Sequence, residues 1–122
     1  MTTPAPHPRR ILLVDGDDDT RRALRRALEA VGHTVQEADD GLEGVRQALA
    51  WKPDVVVVEI GMPILDGYGV ARRVRRELGS AVRLIALTGH DDRARALAAG
   101  FDEHLLKPAD PERVSRLLGQ AA

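Results

Sequence analysis

From Arg10 onward, short runs of consecutive apolar residues alternate with longer stretches whose apolar positions recur every three or four residues. That alternation predicts a parallel sheet with helices on both faces. The first run, Ile11 to Val14, is apolar throughout, as a strand buried on both faces requires. It is ended by the acidic cluster Asp15-Gly16-Asp17-Asp18-Asp19, in which one aspartate can cap the following helix. That helix is expected to reach about Val31, with Leu24, Leu28 and Val31 on one face and Gly32 as its stop. Arg21, Arg22, Arg25 and Arg26 read as a solvated face. Thr34 to Glu37 is a shorter, less apolar strand, followed by a helix from about Leu42 to Trp51; this unit reads as peripheral.

Val55 to Val58 is β-branched at every position and is the strongest strand signal in the chain, as the centre of a sheet would be. Gly61, Pro63 and Gly67 form a loop after Glu59, and a helix is predicted from about Tyr68 to Leu78, stopped by Gly79. Val82 to Leu87 is the fourth strand, Asp92 to Ala99 a short helix ended by Gly100, His104 to Leu106 the fifth strand and Pro111 to Leu118 the last helix. Met1 to Pro8 holds three prolines and no apolar period, so residues 1–9 read as a disordered leader and 10–119 as the one domain.

Composition narrows the classes. The 122 residues suit a single core, and with no cysteine there is no disulfide, thiolate zinc site or cysteine nucleophile. Net charge is -1 and aromatics make up 2%, so neither a basic field nor a base-stacking platform for nucleic acid is expected. The longest apolar run is too short to span a bilayer and the amino terminus lacks a secretory signal, so no membrane partner is expected and the location reads as cytoplasmic. The four histidines lack metal-ligand spacing. Arg72, Arg73, Arg75 and Arg76 form a basic run read as a solvated face.

In an open α/β sheet, a ligand site lies beyond the carboxyl ends of the strands. Asp15 and Asp17 follow strand one, Glu59 ends strand three, Thr88 ends strand four and Lys107 ends strand five, so all fall on one edge. Carboxylates there suit a hard divalent cation such as Mg²⁺, while a hydroxyl and an ammonium suit phosphoryl oxygens.

These residues stand in segments that resemble the receiver domain of bacterial response regulators: Ile11-Leu12-Leu13-Val14-Asp15, the stretch from Pro53 to Gly67, Ala86-Leu87-Thr88, and Ala99 to Pro108. The resemblance covers Arg10 to Leu118. It implies a five-stranded, doubly wound, flavodoxin-like sheet in the order 2-1-3-4-5 with five helices, for which the chemotaxis receiver is a standard example. In that family an aspartate at the end of strand three accepts a phosphoryl group from a histidine kinase. By position, Glu59 matches this acceptor, Asp15 the first metal-binding acid, Thr88 and Lys107 the phosphoryl-oxygen ligands, and His104 the aromatic switch. Gly61 would supply a backbone carbonyl to the metal, and the bond before Pro108 is expected to be cis. The implied partners are a histidine kinase or an effector protein on the helix 4, strand 5 and helix 5 face.

The sequence departs from the family at three places. Glu59 stands where the family has Asp, Gly16 stands where it has the second metal-binding acid, and the stretch from Thr88 to Gly100 is about one helical turn short. The added methylene of Glu59 pushes its carboxylate toward the space of the phosphoryl group, which impairs in-line attack. The missing acid weakens Mg²⁺ unless Asp17 substitutes. Glu59 could then reach Lys107 as a salt bridge. The sequence therefore reads as a non-enzymatic pseudo-receiver that signals through protein contacts. A Mg²⁺-dependent phosphoacceptor is the alternative. A flavodoxin-like small-ligand binder is the weaker third reading, because no glycine-rich phosphate loop or ring-stacking pair is present.

Overall fold

The computed structural model describes residues 7–108 and 110–119. Five strands and five α-helices alternate: β1 (Arg10–Val14), α1 (Asp18–Ala30), β2 (Thr34–Ala38), α2 (Gly41–Trp51), β3 (Val55–Glu59), α3 (Gly67–Leu78), β4 (Arg83–Thr88), α4 (Arg93–Ala99), β5 (Glu103–Leu106) and α5 (Pro111–Gly119). All neighbouring strands are parallel, in the order β2-β1-β3-β4-β5. The expected architecture and order are both present. A short 3-10 turn over Gly79–Ala81, absent from the sequence reading, joins α3 to β4.

Strand alternation divides the core into two layers. Ile11, Leu13, Val55, Val57, Ile85 and Leu87 face α1 and α5, where they meet Leu24, Leu28, Val114 and Leu118. Leu12, Val14, Val56, Val58, Leu84 and Ala86 face α2, α3 and α4. Every valine of β3 is at most 1% exposed, because the strand is paired on both sides and covered on both faces. Close approach is met by glycine: a Cβ at Gly44 would lie 2.8 Å from Val14 Cγ1, so α2 could not otherwise seat on β1.

Two arginine expectations are corrected. Arg21 is only 7% exposed. Its guanidinium donates to Glu37 Oε1 at 2.8 Å, to Asp18 Oδ1 at 2.6 Å and to the Asp15 carbonyl at 2.6 Å, so burial is offset by full pairing rather than avoided. Arg75 is likewise tied down. Its guanidinium donates to the carbonyls of Gly100, Gly79 and Val82 and to Asp102, fastening α3 to the turn between α4 and β5.

The leader expected over 1–9 falls mostly on residues 1–6, which lie outside the described residues. Arg9 belongs to the fold, since its carbonyl accepts from Thr34 N at 3.0 Å and its amide donates to His33 Nδ1 at 2.9 Å. Among the described residues, no helix is long and apolar enough to cross a membrane.

Candidate functional site

Parallel pairing brings the carboxyl ends of β1, β3, β4 and β5 to one edge. There Asp15 N donates to Ala38 O (3.1 Å), Ile60 N to Leu87 O (2.9 Å) and Lys107 N to Thr88 O (2.8 Å). The ladder thus continues one residue past β1, β3 and β5 and fixes the backbone beneath Asp15, Glu59, Thr88 and Lys107. Gly67 holds the loop after Glu59 against that edge, where a Cβ would lie 2.6 Å from Glu59 O and 2.7 Å from Ile60 Cα.

Three side chains converge. Lys107 Nζ lies 2.9 Å from Glu59 Oε1 and 3.3 Å from Asp15 Oδ2, and the second Glu59 oxygen accepts from Gly16 N at 3.0 Å. Both oxygens of Glu59 therefore carry a donor. Asp15 is 2% exposed; its Oδ1 accepts from Asp17 N at 2.9 Å, while its Oδ2 meets Lys107 only as an ion-pair contact, without an aligned hydrogen bond.

The electrostatics follow from this arrangement. Burial, reinforced by the neighbouring Glu59 carboxyl and only partly opposed by Asp17 N–H and Lys107, pushes Asp15 up to about 6. Burial also works to raise Glu59, but the interaction with Asp15, the Lys107 ammonium and the Gly16 amide outweigh it and hold Glu59 below its ordinary value. For Lys107, burial is outweighed in turn by the two carboxylates, and its ammonium form is favoured.

The remaining site residues are placed as follows. Thr88 is buried, and its Oγ1 accepts from His90 N at 3.1 Å, so it shapes the β4–α4 loop. His104 is half-buried, with Nε2 3.3 Å from the His90 carbonyl oxygen. Gly61 lines the cleft beside Glu59, and the Lys107–Pro108 bond is cis. Asp17 is not brought into the cluster. It caps α1, accepting from Asp19 N at 3.1 Å and from Thr20 Oγ1 at 2.6 Å, contacts that hold the carboxylate over the helix end.

For a hard divalent cation, the donor set offers two carboxylates, Asp15 and Glu59, and the buried Oδ2 of Asp15 lacks an aligned donor. Mg²⁺ is commonly held by one or two carboxylates with waters, so the residues fit. Among the described residues, no three acidic or imidazole groups are gathered around one point.

The cluster opens onto a cleft of about 470 Å³ bounded by Met62, Tyr68, Thr88, His90 and Arg95, with the Arg95 guanidinium 4.2 Å from the centre of the Tyr68 ring. Tyr68, His90 and Arg95 of this rim and the Arg21 contact to the Asp15 carbonyl were missed from sequence. Arg21 had a signal: it stands three and seven residues before Leu24 and Leu28, on the same helical stripe.

The comparisons agree with this geometry. The model of the response regulator receiver domain matches residues 11–118. The response regulator MprA of Mycobacterium ulcerans is 40% identical over 102 residues, covering 81% of this chain and 44% of MprA. This chain thus spans less than half the length of that relative. Chemotaxis protein CheY4 of Vibrio cholerae has the same fold, with a TM-score of 0.86 at 24% identity over 95% of this chain and all of CheY4. The receiver domain of sensor histidine kinase PA1611 from Pseudomonas aeruginosa, solved with magnesium coordinated in its active-site cleft, gives a TM-score of 0.81 at 30% identity, covering 92% of this chain and 95% of that one. With these matches, a five-stranded sheet in the order 2-1-3-4-5 and an acid–threonine–lysine edge, this chain belongs to the response regulator receiver domain family of two-component signalling.

Proposed function

We propose that this receiver is a pseudo-receiver: a signalling module, not an enzyme, whose state does not depend on phosphoryl transfer from a histidine kinase. The observation that carries this reading is the double occupation of Glu59. A nucleophilic oxygen must be able to turn a lone pair toward phosphorus in line, and a carboxylate held by a fixed donor on each oxygen is locked in one orientation. Here Lys107 holds one oxygen at 2.9 Å and Gly16 N–H the other at 3.0 Å. The ion pair joins the end of β3 to the residue that follows β5 and places a negative charge beside Lys107, the position that a phosphoryl group would charge more heavily.

Mg²⁺, when bound, supplies charge neutralisation between carboxylates and phosphoryl oxygens. Asp15, Glu59 and the Gly61 carbonyl would hold it here. With glycine at position 16 one carboxylate ligand is lost, and Lys107 competes for the two that remain, so binding is weaker than in receivers with a second acid. The missing aligned donor on Asp15 Oδ2 favours the second reading, a Mg²⁺-dependent acceptor.

Output is assigned to the face of α4, β5 and α5, where Leu97 and Leu106 are 49% and 45% exposed and available to a kinase or effector protein in the cytoplasm. The deciding test is intact mass after incubation with a small phosphodonor and Mg²⁺, on the unaltered chain, on Glu59→Asp and on Glu59→Asp with Gly16→Asp. The proposal expects an adduct only in the double variant. An adduct on the unaltered chain establishes the acceptor reading instead.

A further inference from the structure

Arg21 is a buried cation on α1 that makes no contact with the Glu59–Lys107 pair, yet it donates to the carbonyl of Asp15 at 2.6 Å. That carbonyl and the amide of Gly16 are two ends of one planar peptide unit, and the amide end donates to Glu59 Oε2 at 3.0 Å. We infer that Arg21 is a positioning residue of the acceptor site, acting on Glu59 through the single peptide plane between Asp15 and Gly16.

Two physical effects run along that plane. Peptide planarity makes carbonyl and amide directions one orientation, so a guanidinium that fixes the carbonyl also aims the N–H. A charged donor on the carbonyl polarises the amide and strengthens its bond to the carboxylate, as in any chain of hydrogen bonds. Arg21 is itself fixed. Its Nε is held by Glu37 Oε1 at 2.8 Å and a second nitrogen by Asp18 Oδ1 at 2.6 Å, while Glu37 is held by Arg25 at 2.7 Å. The sequence from Glu37 through Arg21 and the peptide to Glu59 therefore links edge strand β2 to central strand β3 across the acceptor site.

The inference deepens the pseudo-receiver reading and rests on it only where Glu59 is taken to be engaged by Gly16. The test uses the full chain and the backbone amide spectrum, read at Gly16. In Arg21→Met the Gly16 amide proton is expected to shift upfield and to exchange with solvent on the order of tenfold faster at unchanged global stability-corrected rates elsewhere. In Arg21→Lys, which keeps the charge on a shorter donor set, the same shift is expected at smaller amplitude, and this variant serves if Arg21→Met does not fold. Glu37→Gln, which keeps Arg21 on the Asp15 carbonyl, is expected to leave the Gly16 amide in place. A folded Arg21→Met or Arg21→Lys with an unshifted Gly16 amide overturns the inference and leaves Arg21 a purely structural clamp. The phosphodonor experiment is read by mass on the unaltered chain, so failure of the parent reading is scored separately.

Discussion

The carboxylate of Glu59 and the main-chain amide of Gly16 meet at 3.0 Å, and the space beside that amide is open. A Cβ at position 16 would lie 3.8 Å from Glu59 Oε2 and 3.6 Å from Asp39 O, in ordinary contact. The longer acid at 59 and the missing acid at 16 are thus neighbours, and restoring one alters the surroundings of the other.

Gly16→Asp alone is therefore expected to add a third carboxylate beside Asp15 and Glu59 without a steric clash. In the presence of a chelator, stability should fall by about 1 kcal/mol from like-charge repulsion, and Mg²⁺ should restore it. Thermal unfolding with and without Mg²⁺ checks this; a variant indifferent to the cation would contradict it.

The buried Asp15 gives a pH signature with a definite sign. Its carboxyl titrates at about 6 in the fold against 3.8 as the reference, so the folded chain binds this proton more tightly than the unfolded one. Its contribution is fully present below the lower value and is lost as pH rises through the upper one, about 3 kcal/mol in all. Glu59, held below its ordinary value, works the other way and contributes above that value. Asp15→Asn removes the first effect and, because Asp15 is one of the groups that hold Glu59 low, weakens the second while Lys107 and the Gly16 amide keep its direction. Relative to the parent, the variant should gain about 1–3 kcal/mol between pH 4 and 7 in urea titrations. Parallel stability curves for the two proteins would refute the assignment.

Gly67→Ala should cost about 1–3 kcal/mol, because the new methyl would sit 2.6 Å from Glu59 O and the chain must move. The displaced backbone carries Glu59, so the Lys107 contact should loosen as well. Chemical denaturation, with the Lys107 ammonium resonance as a local probe, reads both effects.

Arg75→Met removes donors from the carbonyls of Gly100, Gly79 and Val82 while keeping a long apolar stem. A loss of about 2 kcal/mol is expected from the unpaired carbonyls and Asp102, with the acceptor site intact. Calorimetry gives the loss; an unaltered melting temperature would mean that water replaces the guanidinium at no cost.

Much of this molecule is legible from its residues because strand ends in a parallel sheet are also site positions. The four valines before Glu59 read as a central strand, and with strands four and five read as parallel to it, Glu59, Thr88 and Lys107 fall at one edge. The strand order is different: apolar periodicity says which residues are buried but not which strand lies beside which, so 2-1-3-4-5 came from the family resemblance. Arg21 and Arg75 were read outward because charge was weighed ahead of position. A guanidinium surrounded by carbonyls and carboxylates is satisfied inside a fold, and what decides its direction is the helical stripe it stands on and the acceptors across from it. The capping role of Asp17 was foreseen as one use of the acidic cluster, but the choice among three successive aspartates needed the backbone geometry of the turn.

The shortness of α4 carries a last consequence. Seven residues are too few to sustain a helix by their own hydrogen bonds, so α4 borrows its order from Ala96 and Ala99 against the sheet and from the Gly100 carbonyl gripped by Arg75. It is in effect a passenger on α3, with its far end moored and its near end next to the loop that Thr88 shapes. A signal at the acceptor edge need not rotate a rigid rod in such an arrangement. Few internal hydrogen bonds hold so short a segment, and the exposed Leu97 stands on it.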